Sequence, residues 1–180
     1  MSDKASTEAL RAVLKSQYHA ALAMLKDAVE KCPDDLWSGS GHTNECWQVA
    51  YHVLFFAHMY SQPNEAAFRP WKDHEANVQY PDGIAGPPQK DSKLPLLAKP
   101  YTKAQVLEYW SFCDGMIDIV VEEIDLHSPE SGFWWYPIPK IEHQIVNIRH
   151  IQHHTAQLAD RVRTAVNVGV DWVGARRQPR

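Results

Sequence analysis

The sequence predicts an all-α protein: a four-helix bundle with a long, Pro-rich connection between the second and third helices. Three observations predict it. Three stretches repeat apolar residues at intervals of three and four, the helical period, and a fourth is long and apolar all round, as a buried helix is. No stretch alternates apolar and polar residues as a half-buried strand does. Seven of the 12 prolines fall between residues 61 and 100, where the helical period fades. At 180 residues the chain suits a single domain, residues 1–180, with one large core.

The first helix is predicted from Thr7 to Lys31. Leu10, Val13, Leu14, Tyr18, Ala21, Leu22, Leu25 and Val29 form its apolar stripe. Ser6 or Thr7 offers a starting cap, and Pro33 stops the helix. Leu36 and Trp37 are expected in a loop that lids one end of the core, before Gly39-Ser40-Gly41 breaks the chain. The second helix is predicted to begin near Thr43 or Asn44, with Glu45 in its first turn, and to end at about Tyr60. Apolar residues occupy every direction of it, so it is buried on most sides. His52 and His58 lie inside this run. A histidine there needs a hydrogen-bond partner or a metal.

From Ser61 to Pro100, Asp82-Gly83 and Gly86-Pro87-Pro88 are turn signals. Phe68, Trp71 and Tyr80 predict that this connection packs on the body, with His74 facing solvent. The third helix starts at Thr102, where Gln105 completes a capping-box pattern, and runs to about Ile124. Gly115 inside it either costs helix stability or allows a close helix contact. Phe133, Trp134, Trp135 and Tyr136 then close the core, wall a pocket or form an interface; core closure is favoured. The fourth helix is predicted from Lys140 to Asn167. Its stripe is Ile141, Ile145, Ile148, Ile151, Thr155, Leu158 and Val162. The tail from Gly169 is expected to be frayed or loosely docked.

The formal charge of −4 gives no reason to expect nucleic acid or an anionic membrane as partner. Cys32, Cys46 and Cys113 contain no C-x-x-C pair and read as reduced, mostly buried thiols. The polar amino terminus and the lack of a long apolar run predict a cytoplasmic protein. The aromatics outside the helices make a homodimer plausible.

Ten histidines are a high count, and three of them fall in five positions of the fourth helix. His150 and His154 are four apart, so one face presents both imidazoles to a single divalent cation. At about 100° per residue they lie a quarter-turn from the centre of the apolar stripe, while His153 faces water. A catalytic metal site takes three protein ligands and leaves a position open. The third ligand must come from another helix: His52 is the first choice and His58 the second. Three imidazoles suit zinc, nickel, copper or iron, and zinc and nickel are put first. Glu45, Glu108, Glu122 and Glu142 are candidate bases by type only, and Arg149 and Arg161 could meet an anionic group.

Trp47-Gln48-Val49-Ala50-Tyr51-His52 and Asn147-Ile148-Arg149-His150-Ile151-Gln152-His153-His154-Thr155-Ala156-Gln157-Leu158 resemble the DinB/YfiT-like superfamily of metal-binding four-helix bundles. The resemblance spans the bundle, with the central connection as an insertion. It implies a metal triad of His52, His150 and His154. It also implies either a thiol-dependent transferase or isomerase using a low-molecular-weight thiol, or a metal-dependent hydrolase, acting on a small-molecule substrate. A non-catalytic stress-response or binding protein with a structural metal is the alternative.

Overall fold

The computed structural model describes residues 2–39, 41–81 and 99–176. Its helices are α1 (Ser2–Lys31), α2 (Asp34–Trp37), α3 (Cys46–Tyr60), α4 (Lys103–Glu123) and α5 (Lys140–Val166), with a 3-10 turn at Glu65–Ala67. Among the described residues there is no strand, so the protein is all-α. The α1 helix packs on α4 and α5, and α3 packs on the same two helices. No described helix is long and apolar enough to cross a membrane.

The α1 helix starts earlier than the cap residues imply. Nothing before Ser6 breaks a helix, and the Thr7 hydroxyl is used elsewhere, 2.8 Å from His127 Nε2. Leu14, Tyr18, Leu22, Leu25 and Val29 enter the core as predicted, but Leu10 and Val13 stay exposed. Beside them Arg11 donates to the Val121 and Ile124 carbonyls, satisfying acceptors at the end of α4.

Leu36 and Trp37 belong to the one-turn helix α2, not to a loop. Trp37 still lids the core, and its indole N–H donates to the Tyr101 carbonyl at 2.8 Å. The α3 helix begins later than predicted because Glu45 is the cap, not a first-turn residue. Its backbone N–H donates to Gln48 Oε1 at 2.8 Å in a reciprocal box. The Thr102–Gln105 box opens α4 as predicted. Gly115 makes no close helix contact there: a side chain at that position would meet open space.

The connection after α3 packs on the body through residue 81, as its aromatics predict. Trp71 stacks on Tyr109 with ring centroids 4.7 Å apart. His74 does not face solvent; it is half-buried, with Nδ1 2.9 Å from Tyr51 Oη. The turn signals from Asp82 to Pro88, and Pro95, lie outside the described residues.

The largest departure is in the first half of α5. The expected stripe of Ile141, Ile145 and Ile148 is displaced, and Ile145 is exposed. Lys140, His143, Gln144 and Asn147 are buried instead. Hydrogen bonds compensate for the polarity of Lys140, Gln144 and Asn147, whereas the ring nitrogens of His143 have no hydrogen-bond partner among the described residues. Tyr18 Oη donates to Gln144 Oε1 at 2.8 Å, Asn147 Nδ2 to the Ala57 carbonyl at 3.2 Å, and Lys140 Nζ to the Pro63 carbonyl at 2.7 Å. From Ile151 onward the predicted stripe holds, and Asn167 ends the helix at φ 55°.

The aromatic run divides. Phe133 is buried against Tyr60 and His143, which is core closure, whereas Trp134 is exposed. The tail is docked across α1 and α4. Lys31 Nζ donates to the Gly169 carbonyl at 3.0 Å, the Asp171 N–H to Asp27 at 2.9 Å, and Arg176 to Asp118 at 2.9 Å.

Two core histidines make stability depend on pH. Burial pushes His58 and His143 down to about 4, with Lys140 adding to the effect on His143. The folded state therefore holds both neutral, while the unfolded chain takes up protons near pH 6.5. Their contribution is intact above that value and is lost as pH falls to about 4. The loss is about 3 kcal/mol each. Urea unfolding in chelator at pH 7.5 and 4.5 should give a large drop for the wild type and a smaller one for His143→Phe. Equal drops would contradict a neutral buried His143.

Candidate metal centre

The site is built where α3 and α5 run side by side. His52 projects from α3, and His150 and His154 from successive turns of α5. One nitrogen from each ring lies within 4.8 Å of the others. His52 Nε2 and His150 Nε2 lie 3.0 Å apart. His153 is exposed, as its helical position predicts.

Two outer contacts orient the rings. The Gln79 carbonyl is 2.6 Å from His52 Nδ1. A carbonyl only accepts, so Nδ1 carries the proton and Nε2 keeps its lone pair. Gln157 Oε1 is 2.8 Å from His154 Nδ1 and selects the same tautomer there. Such outer partners fix the ring plane and raise the basicity of the inward nitrogen.

The geometry passes a test of fit to a cation. With His52 Nε2 unprotonated, the facing His150 Nε2 either supplies a proton to that contact or presents a second lone pair. Two lone pairs at 3.0 Å repel unless a cation lies between them. That separation also suits adjacent ligands about 2.0–2.1 Å from one ion. Burial first, then His52 and His154, pushes His150 far below the ordinary imidazole range. Burial likewise lowers His154, opposed by the Gln157 bond. Neutral imidazoles are the form that binds metal.

Phe56 forms an apolar wall, its ring 4.9 Å from that of His52 and 5.7 Å from that of His150. His150 also borders a surface depression of about 410 Å³ with Val146, Arg149, Gln152 and His153.

The other candidates lie elsewhere. His58 is a core histidine, with Nδ1 3.1 Å from Tyr109 Oη. Glu45 caps α3, Glu108 pairs with Lys72 at 2.5 Å, and Glu122 pairs with Lys15 at 2.7 Å. Glu142 is exposed in the first turn of α5. Arg161 donates to the Asn44 carbonyl at 2.7 Å rather than to a carboxylate. Arg149 is exposed beside the depression.

Sequence reasoning misses Gln79 and Gln157 as orienting groups. Gln157 has a signal, since it follows His154 by three on a helix. Gln79 has none, because a backbone carbonyl reaches His52 across 27 residues. No family model, no curated protein and no solved structure matches the chain.

Proposed function

We propose that the four long helices form a four-helix bundle of the DinB-like type, a metal-dependent enzyme acting on a small molecule. His52, His150 and His154 hold its divalent ion, with zinc and nickel the first candidates. The reaction is hydrolysis, or a transfer that depends on a low-molecular-weight thiol. The observation that carries this reading is the convergence of three imidazole nitrogens from two helices within 4.8 Å. A three-ligand set leaves positions for water or substrate, unlike a closed structural site.

A divalent ion there supplies Lewis-acid activation of water or a thiol near neutral pH. The chain's own residues do the rest. Gln79 and Gln157 keep His52 and His154 in the tautomer with a free inward nitrogen. Phe56 excludes water from one side. Arg149 offers a cation to an anionic substrate group entering along α5.

The test uses protein purified without an affinity tag. Elemental analysis should find about one divalent ion per chain, bound with the open positions expected of three ligands. An added thiol or hydroxamate should perturb the spectrum of the cobalt-substituted protein, and panels of esters and thiol acceptors should show turnover that a chelator abolishes. Metal whose removal lowers the melting temperature, with no exogenous ligand binding and no turnover, would establish the structural role instead.

A further inference from the structure

A hollow of about 470 Å³ lies where α3 and α4 meet the connection after α3. His58, Arg69, Trp71, Lys72, Glu108 and Phe112 are among the residues that line it, and none of the three metal-site histidines is. His58 and His52 are six residues apart on α3, so their side chains leave the helix about 120° apart and about 9 Å along it. The hollow is therefore separate from the metal centre, which His52 forms against α5. Its volume is that of a small-molecule site.

The walls combine apolar rings with a few polar groups. Phe112 leaves 46% of its surface accessible, and an apolar ligand would cover it. Trp71 is held in place by its stack on Tyr109. His58 is a buried donor in the wall. Its ring centroid is 4.9 Å from those of Phe68 and Phe112. Nδ1 lies 3.1 Å from Tyr109 Oη, and that hydroxyl has no other hydrogen-bond partner among the described residues. The hydroxyl proton therefore goes to Nδ1, and the neutral ring carries its own proton on Nε2. With Nδ1 turned to Tyr109, Nε2 is the edge left for the hollow.

Arg69 supplies the charge. Its Nη1 donates to the Ala66 and Phe68 carbonyls, both at 2.8 Å. Those bonds fix the guanidinium beside the hollow. Nε and Nη2 have no partner among the described residues, and that edge of a guanidinium matches a carboxylate in a two-pronged bond. Lys72 and Glu108 pair with each other at 2.5 Å, so Arg69 is the unbalanced charge of the lining.

We propose that this hollow binds a small aromatic carboxylate. The carboxylate accepts from Arg69, His58 Nε2–H donates to a polar atom of the ligand, and the ring system covers Phe112. A neutral aromatic leaves Arg69 without its partner. An inorganic anion leaves Phe112 in water.

The test titrates 2-naphthoate into the full chain as purified and follows the backbone amide signals by NMR. Signals of residues 66–72 and 108–112 should shift together and saturate, with a dissociation constant of roughly 1 mM or below, as suits a ligand of that size. 2-Naphthylmethanol, which has the rings without the charge, should bind about tenfold more weakly or worse. Arg69→Gln and Phe112→Ala, both at exposed positions, should each weaken 2-naphthoate by about tenfold. His154→Ala should bind it like the wild type, which separates this hollow from a carboxylate held by the metal. The proposal is overturned by shifts that do not saturate, by shifts confined to residues 150–154 that His154→Ala abolishes, or by equal affinity for 2-naphthylmethanol. Wild-type affinity in both Arg69→Gln and Phe112→Ala would overturn it as well. The map of shifts on the wild type decides the matter even if a variant fails to fold.

Discussion

Replacing His154 by alanine is expected to empty the metal centre and leave the fold standing. The ring supplies one of three nitrogens that lie within 4.8 Å of one another. Two remaining imidazoles do not make a three-ligand site. The backbone should tolerate the change. The His154 side chain is only partly buried, while the neighbouring core positions Ile151, Thr155 and Leu158 are untouched. Alanine is also the better helix former, by a few tenths of a kcal/mol. Elemental analysis should fall from about one ion per chain to near zero, with far-ultraviolet circular dichroism unchanged. Gln157→Leu should give an intermediate result. It keeps the ligand but removes the acceptor that orients it, a loss of about 10- to 100-fold in affinity. His153→Ala should bind metal like the wild type. Full metal content in His154→Ala would remove that residue from the ligand set, and a loss in His153→Ala would place the exposed ring in it.

The part of this site that can be read from sequence is the part that depends on one helix. The four-residue spacing of His150 and His154 puts both on one face wherever α5 packs, and the same periodicity turns His153 outward. Choosing between His52 and His58 is harder, because α3 is apolar in every direction and periodicity has nothing to contrast. The structure separates them by what each meets: α5 and the Gln79 carbonyl for His52, Tyr109 for His58. The same limit explains the first half of α5. Hydropathy places Ile145 inward and Gln144 outward, but Gln144 has partners in Tyr18 and in the Tyr60 carbonyl, 126 and 84 residues away in sequence. Burial of a polar residue is decided by partners that local sequence does not reveal. Helix starts fail for a related reason. Thr102 caps α4 as its chemistry suggests, whereas Glu45 takes that place in α3 ahead of the more usual Thr43 and Asn44.

Tyr109→Ala is expected to carry the largest stability cost and to weaken metal binding as well. The Tyr109 ring is fully buried on α4. It stacks on Trp71 at 4.7 Å and packs against Tyr51 at 5.4 Å. Its hydroxyl lies 3.1 Å from His58 Nδ1. Truncating a buried aromatic to alanine costs about 3–5 kcal/mol in lost transfer energy and cavity. For a chain of this size that lowers the melting temperature by about 6–20 °C. The coupling to metal runs through the connection after α3. Trp71 anchors that segment to the body, and eight residues later the same segment presents the Gln79 carbonyl to His52. Loosening the anchor should free the His52 ring and raise the metal dissociation constant. Tyr109→Phe separates the two effects. It keeps the stack and removes only the hydroxyl, so it should cost about 1–3 kcal/mol by leaving the buried His58 nitrogen without that bond. Its metal affinity should match the wild type. If Tyr109→Ala binds metal as tightly as Tyr109→Phe, the anchored segment does not orient His52, and the Gln79 contact plays no part in holding the ion.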